Sequence, residues 1–273
     1  MNARVLRLPT AGRLLIGTDL QGNLGDFRAL ERRFLEAGDD AVLVLTGDLV
    51  HGPDEATAAA WPLGLGTPYR DESPALLDAF LALRERCPGR VVCLLGNHDH
   101  AHIGGPITSK FYPDEAAALE ARLDVPGVHR LRSTIASFPL VAVAPCGVVL
   151  LHAAPAASIE GVATLEQLRL EGYEQLPFTE FLRVPVLAAL LWSRQATCSQ
   201  AERFVRALGC ELAVFGHDVV STGWAKDGPR MVCVSTSFGL RDEHKTYVEL
   251  DLAARYRSSD DLRAGTELRR LHG

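Results

Sequence analysis

The chain has no Cys-x-x-Cys pair, no apolar run near the length of a membrane span, no internal repeat and no surplus of basic residues. Each absence excludes something. Its six cysteines (Cys87, Cys93, Cys146, Cys198, Cys210 and Cys233) are scattered, and Cys93, Cys146 and Cys233 fall inside apolar, strand-like runs. They read as free thiols of a reducing compartment rather than a disulfide framework. No stretch approaches the roughly 20 apolar residues of a spanning helix, and the N-terminus lacks an apolar signal core, so a cytoplasmic location is expected. A net charge of −6 and a pI near 5.9 argue against nucleic-acid or membrane-surface partners, which reward basic patches. An anionic substrate would therefore have to be attracted locally. With 273 residues, 47% of them hydrophobic, and no linker or low-complexity tract, a single domain over residues 1–273 is expected.

What is present is four short strings: GTDLQGN at 17–23, TGDLVHGPD at 46–54, LLGNHDH at 94–100 and FGHDVV at 215–220. Each puts Asp, Asn or His just beyond a strand-like apolar run, where a rigid sheet can present ligands to metal at its edge. The two oxygens of Asp48 can bridge two cations roughly 3.5 to 4 Å apart, both polarising one phosphoryl centre. Asp19 and Gln21 complete one side, and Asn97, His152 and His217 the other. Mixed oxygen and imidazole donors suit Mn, Fe or Zn better than Ca, so two divalent transition ions, Mn foremost, are expected.

Arg13 to Thr18, Ala41 to Thr46 and Val91 to Leu95 read as strands, and each leads into a ligand string. Phe27, Leu30, Phe34 and Leu35 recur at helical spacing between the first two, and Leu76 to Arg86 is a helix before the third. Repeated strand–helix units predict a largely parallel sheet with its functional loops at the carboxyl ends. Asp114 to Leu123, with Pro113 before it, reads as a further helix. The Val-rich runs Leu140 to Leu151, Leu212 to Phe215 and Met231 to Ser235 suggest a second sheet. Gly52 to Thr67, rich in Gly, Pro and Ala, reads as a surface loop near the site.

These motifs resemble the calcineurin-like metallophosphoesterases, and within them the phosphoprotein phosphatase branch. D-x-H-G reads Asp19-Leu20-Gln21-Gly22; G-D-x-V-D-R-G reads Gly47-Asp48-Leu49-Val50-His51-Gly52-Pro53; R-G-N-H-E reads Leu95-Gly96-Asn97-His98-Asp99. LLHAAP around His152, LLWS ending at Ser193 and GHDVVSTGW around His217 extend the likeness, from about Leu14 to about Leu250. The resemblance implies an α/β fold, a four-layer sandwich of two β-sheets flanked by helices. It also implies hydrolysis of a phosphorylated protein or small phosphate ester by a metal-bridging hydroxide, with His98 protonating the leaving oxygen.

The departures define what the structure must answer. Gln21 stands where the family has a histidine, and His51 where it has the aspartate that orients the catalytic histidine. His51 and Asp54 are thus candidate catalytic residues beside His98, with Asp99 as an alternative to Asp54. The family's two phosphate-gripping arginines fall at Gly52 and Leu95, and Arg194 is a candidate stand-in. His100 and His102 read as structural, and Trp192 as core. Two functions are consistent with this pattern: an active phosphoesterase, favoured by the intact set Asp48, Asn97, His98, His152 and His217, or a pseudophosphatase that binds a phosphorylated partner through a degraded first metal site.

Overall fold

The computed structural model describes residues 3–61 and 65–273. Among the described residues, eleven strands form two sheets. One contains β1 (Val5–Arg7), β5 (Val141–Ala144), β6 (Val148–Leu151), β7 (Leu212–Phe215), β8 (Trp224–Ala225) and β9 (Met231–Val234), in the order β1-β5-β6-β7-β9-β8. The other contains β2 (Arg13–Gly17), β3 (Val42–Leu45), β4 (Val91–Cys93), β10 (Thr246–Asp251) and β11 (Leu268–Arg270), in the order β11-β10-β2-β3-β4. Strands β2, β3 and β4 are mutually parallel, as the strand–helix repeats require, and the helices Leu24–Glu36 and Ser73–Arg86 cross between them. β6, β7 and β9 are parallel in the other sheet.

The apolar runs are continuous because both faces of each sheet are covered. Leu14, Ile16, Val42, Val44, Leu150, Val214 and Val232 pack in one cluster contributed by both sheets, while Leu15, Leu43, Leu45, Val149 and Phe215 join a second cluster that includes the helices. With a side-chain period of two, alternate residues of one strand serve different layers. Phe27, Leu30 and Phe34 are fully buried on the inner face of the first helix, whereas Leu35, one step round, is 47% exposed.

Local differences from the sequence reading have local causes. The helix expected from Leu76 begins at Ser73, because Pro74 occupies the first turn, where its missing N–H costs no bond. The segment expected as the loop Gly52 to Thr67 contains the short helix Glu55–Ala59, started by Asp54; its residues 62–64 lie outside the described residues. Cys146 sits not in a strand but in the turn between β5 and β6, still buried. Among the described residues, no helix is long and apolar enough to cross a membrane.

Two polar ties hold the carboxyl edges of the sheets together. Thr18, just past β2, donates from Oγ1 to the Val234 carbonyl at 2.8 Å and from its backbone N–H to Thr236 Oγ1 at 2.9 Å. His152, just past β6, reaches the carbonyl of Thr46, just past β3, at 3.0 Å. The ligand strings are thereby delivered to one place.

Candidate metal and catalytic site

Asp19 and Gln21 follow β2, Asp48 follows β3, Asn97 and His98 follow β4, His152 follows β6 and His217 follows β7. The chain turns sharply at these points. Among the described residues six non-glycine positions have positive φ, and five belong to the candidate set: Asp19 (47°), Gln21 (43°), Asp48 (53°), His51 (75°) and His217 (68°). Left-handed backbone costs a non-glycine residue about 1–3 kcal/mol and persists only where its surroundings enforce it. Asp99 does much of the enforcing: its carboxylate accepts from the backbone N–H groups of Asp48 (2.7 Å), Leu49 (3.1 Å) and Gly96 (3.1 Å). The two loops also touch backbone to backbone, since a Cβ on Gly96 would lie 2.2 Å from both the nitrogen and Oδ1 of Asp48.

On one side of Asp48, atoms able to ligate a metal converge. His152 Nδ1 faces a carbonyl, which only accepts, so Nδ1 donates there and Nε2 is the ring nitrogen turned into the cluster. That Nε2 lies 2.8 Å from Asn97 Oδ1 and 3.6 Å from Asp48 Oδ2. His217 Nε2 is buried without a hydrogen-bond partner. Ligand atoms of Asp48, His152 and His217 all lie within 4.8 Å of one another. Burial, then the neighbouring His152, push His217 down to about 3, so its imidazole is neutral. Burial acts to raise Asp48, but His152, His98 and His217 outweigh it and hold the carboxyl below its usual range. A carboxylate, an amide oxygen and two imidazole nitrogens suit a divalent transition ion, and the residues on this side fit one.

The other side is built differently. The backbone of Gln21 is pinned by its N–H to the Asp48 carbonyl (2.8 Å) and by its carbonyl, which accepts from Tyr69 Oη (2.8 Å). Its side chain turns Nε2, a donor, towards Asp48 Oδ2 at 3.2 Å, and turns Oε1 away, to accept from Lys110 Nζ at 2.6 Å. Asp19 takes the backbone N–H of His217 on both carboxylate oxygens, at 3.0 and 2.9 Å, and burial raises it to about 6. The Gln21 side chain thus turns a donor N–H, not its oxygen, towards the Asp48 carboxylate, so these residues as arranged do not fit a metal ion here.

His98 sits between the two sides, its Nε2 3.9 Å from Asp48 Oδ2. The carboxylate that orients it is Glu115, at 2.5 Å from Nδ1. Glu115 is fully buried at the start of the helix Glu115–Glu120, and its other oxygen accepts from the N–H groups of Phe111 (2.9 Å) and Lys110 (3.2 Å). Burial opposes charge on His98, but Asp48 and the Glu115 bond prevail and raise its pKa. Glu115 is correspondingly drawn down to about 2, because the His98 bond and charge outweigh its burial.

This arrangement corrects the expectation for Asp54 and Asp99. Asp54 caps the helix Glu55–Ala59 by accepting from Thr57 N–H, and Asp99 is committed to backbone; neither holds His98. His51 is buried, its ring 6.2 Å from that of His98, but it stacks on His102 (4.8 Å, 13°) with Nε2 2.9 Å from His102 Nε2. Burial, then His102, lower it to about 3, so it stays neutral and packs behind the site. His102 in turn meets Glu120, and His100 meets the Leu170 carbonyl, both within the structural frame.

A cleft of about 450 Å³ opens over these groups. Lys110 and Arg194 reach it from different segments, and Arg194 is paired with Asp218 at 2.8 Å. Ile107, Phe178, Trp192 and Val219 supply an apolar wall, so Trp192, expected in the core, is only half-buried and faces the cleft. Sequence reasoning passed over Glu115 and Lys110. Glu115 looks like an ordinary first-turn acid. Lys110 had one legible signal, being one of only three lysines among 28 basic residues.

The described geometry agrees with comparisons to known proteins. A protein serine/threonine phosphatase from Saccharomyces cerevisiae superposes with a TM-score of 0.64 at 15% identity, covering 91% of this chain and 76% of that one. The cold-active protein-tyrosine phosphatase of a psychrophilic Shewanella superposes with a TM-score of 0.57 at 12% identity, covering 93% and 78%. At such identities the likeness shows a shared fold. No curated protein matches the chain in sequence. The profile of the calcineurin-like phosphoesterases matches residues 12–221, most of the chain and every ligand string, so this protein belongs to that family and is a phosphoesterase.

Proposed function

We propose that the protein hydrolyses phosphate monoesters, on a phosphorylated protein or a small phosphate ester, with one divalent transition ion held by Asp48, Asn97, His152 and His217. The observation that carries this reading is the convergence of those four side chains, ligand atoms inward, beside a histidine held by a buried carboxylate. When bound, such an ion polarises the phosphoryl oxygen and makes water nucleophilic near neutral pH. The chain's own residues do the rest. Glu115 fixes the ring of His98 so that Nε2 faces the reacting centre, and its bond helps raise the pKa of that imidazole. As water, giving up one proton to solvent, forms the new P–O bond and the ester P–O bond breaks in line, His98 gives its proton to the departing oxygen and regains one from solvent. Lys110 and Arg194 supply positive charge to the phosphoryl group, and the wall of Phe178 and Trp192 accepts the apolar part of the ester.

The test is hydrolysis of an aryl phosphate with added Mn by the wild type, Asp48→Asn and His98→Ala. Expected is Mn-dependent turnover in the wild type, with losses of at least about 100-fold in both variants. Equal activity in all three removes the mechanism. Bound metal and phosphate affinity without turnover in the wild type would instead favour a phosphate-binding protein that has lost catalysis.

A further inference from the structure

The side of the site that does not fit a metal is not vacant of charge. We propose that the Lys110 ammonium, seated on the Gln21 amide, stands in place of an ion on the Asp19 side, so that this phosphoesterase works with one bound metal and a lysine as its second cation. The inference rests on the functional reading above, which it refines.

Three observations carry it. First, the Gln21 amide is oriented by unlike partners at its two ends: Asp48 Oδ2 only accepts and Lys110 Nζ only donates. Turning the amide to offer Oε1 to a metal beside Asp48 would set its NH₂ against the ammonium, two donors face to face. Second, the ammonium is placed rather than loose. Although Lys110 as a residue is exposed, Nζ turns inward, 2.6 Å from Gln21 Oε1, 4.5 Å from the ring centre of Phe238 and 4.9 Å from that of Phe111. Electron-rich ring faces favour a cation at such distances. Third, the backbone N–H groups of Lys110 and Phe111 are bound by Glu115, the same carboxylate that holds His98. The stand-in cation and the proton donor therefore share one anchor.

Residue choice agrees. Arginine dominates the basic residues of this chain, and a planar guanidinium spreads its charge over a fork of five donors. A compact ammonium concentrates one positive charge at a point, as an ion does. Histidine at position 21 would offer a lone pair to a metal; glutamine offers an oxygen to the lysine and an N–H to the shared aspartate.

The test is metal stoichiometry, which does not depend on turnover. Full-length protein is titrated with MnCl₂, desalted and assayed for metal per chain, with electron paramagnetic resonance of the same samples. The wild type is expected to hold one Mn per chain with an uncoupled signal. Gln21→His combined with Lys110→Ala should take up a second equivalent at least about tenfold more tightly than the wild type does, with a spin-coupled signal. Lys110→Gln, which keeps a side chain of similar length, should move part of the way. Two tightly held, coupled ions in the wild type would overturn the inference and leave the phosphoesterase reading standing. So would a double variant that keeps its circular dichroism spectrum and still binds one. No Mn in the wild type would overturn both.

Discussion

The two sides of Asp48 are made from the same kind of loop yet present opposite chemistry. Towards Asn97, His152 and His217 the side-chain atoms near its carboxylate are ones that can ligate a metal; towards Gln21 the nearest side-chain atom is an N–H donor, backed by the ammonium of Lys110. Positive charge is needed on both sides of a phosphoryl group, and it can be supplied by an ion gathered from solution or by a side chain. The difference teaches that a ligand position must be read by which atom it offers and what holds that atom in place. A residue standing at the right position is not enough.

The comparison can be broken most directly from the imidazole side. His152→Ala removes one lone pair and the tie to the Thr46 carbonyl, and is expected to lose bound Mn and at least about 100-fold of aryl phosphatase activity, as metal analysis and steady-state rates would report. Retained Mn at one per chain would show that the cluster is not the binding site.

Glu115→Gln acts one step back from the chemistry. Its expected effect is a fall in kcat of about 10- to 100-fold with little change in KM, because the proton donor loses its orienting carboxylate while the cleft is unchanged. A second readout is acid stability. Glu115 is drawn from the ordinary 4.5 of a glutamate to about 2 in the folded chain, so its stabilising contribution is full above pH 4.5 and is lost as pH falls towards 2. The melting temperature of Glu115→Gln should therefore vary less than that of wild type over this window; parallel curves would contradict the assignment.

Gln21→Ala should cost less than about tenfold in kcat/KM and leave Mn stoichiometry at one, since the amide holds a lysine and not an ion. A loss equal to that of His152→Ala would erase the distinction between the sides. Smallest of all, Asp54→Ala should leave activity unchanged and only loosen the start of the helix Glu55–Ala59, which circular dichroism and rates can check.

Some of this was legible from residue order alone. The α/β class, the strands β2, β3, β4, β6, β7 and β9 and the clustering of Asp48, Asn97, His98, His152 and His217 at one edge follow from apolar runs that end in polar ligand residues. Burial of both sheet faces makes those runs continuous and easy to see. Start points were less legible where a proline or a cap residue, rather than periodicity, sets the boundary, as at Ser73 and Asp54.

Primary order by itself determined which strands would form and which polar residues would lie at their ends, because hydrophobic period and turn chemistry are local properties. Only the tertiary structure decided that Glu115 holds His98 from 17 residues away, that Lys110 meets Gln21 across 89, and that Asp54 does neither. Those contacts arise where separate loops are packed together, and the direction in which a side chain offers a proton or a lone pair is set by the partners found there.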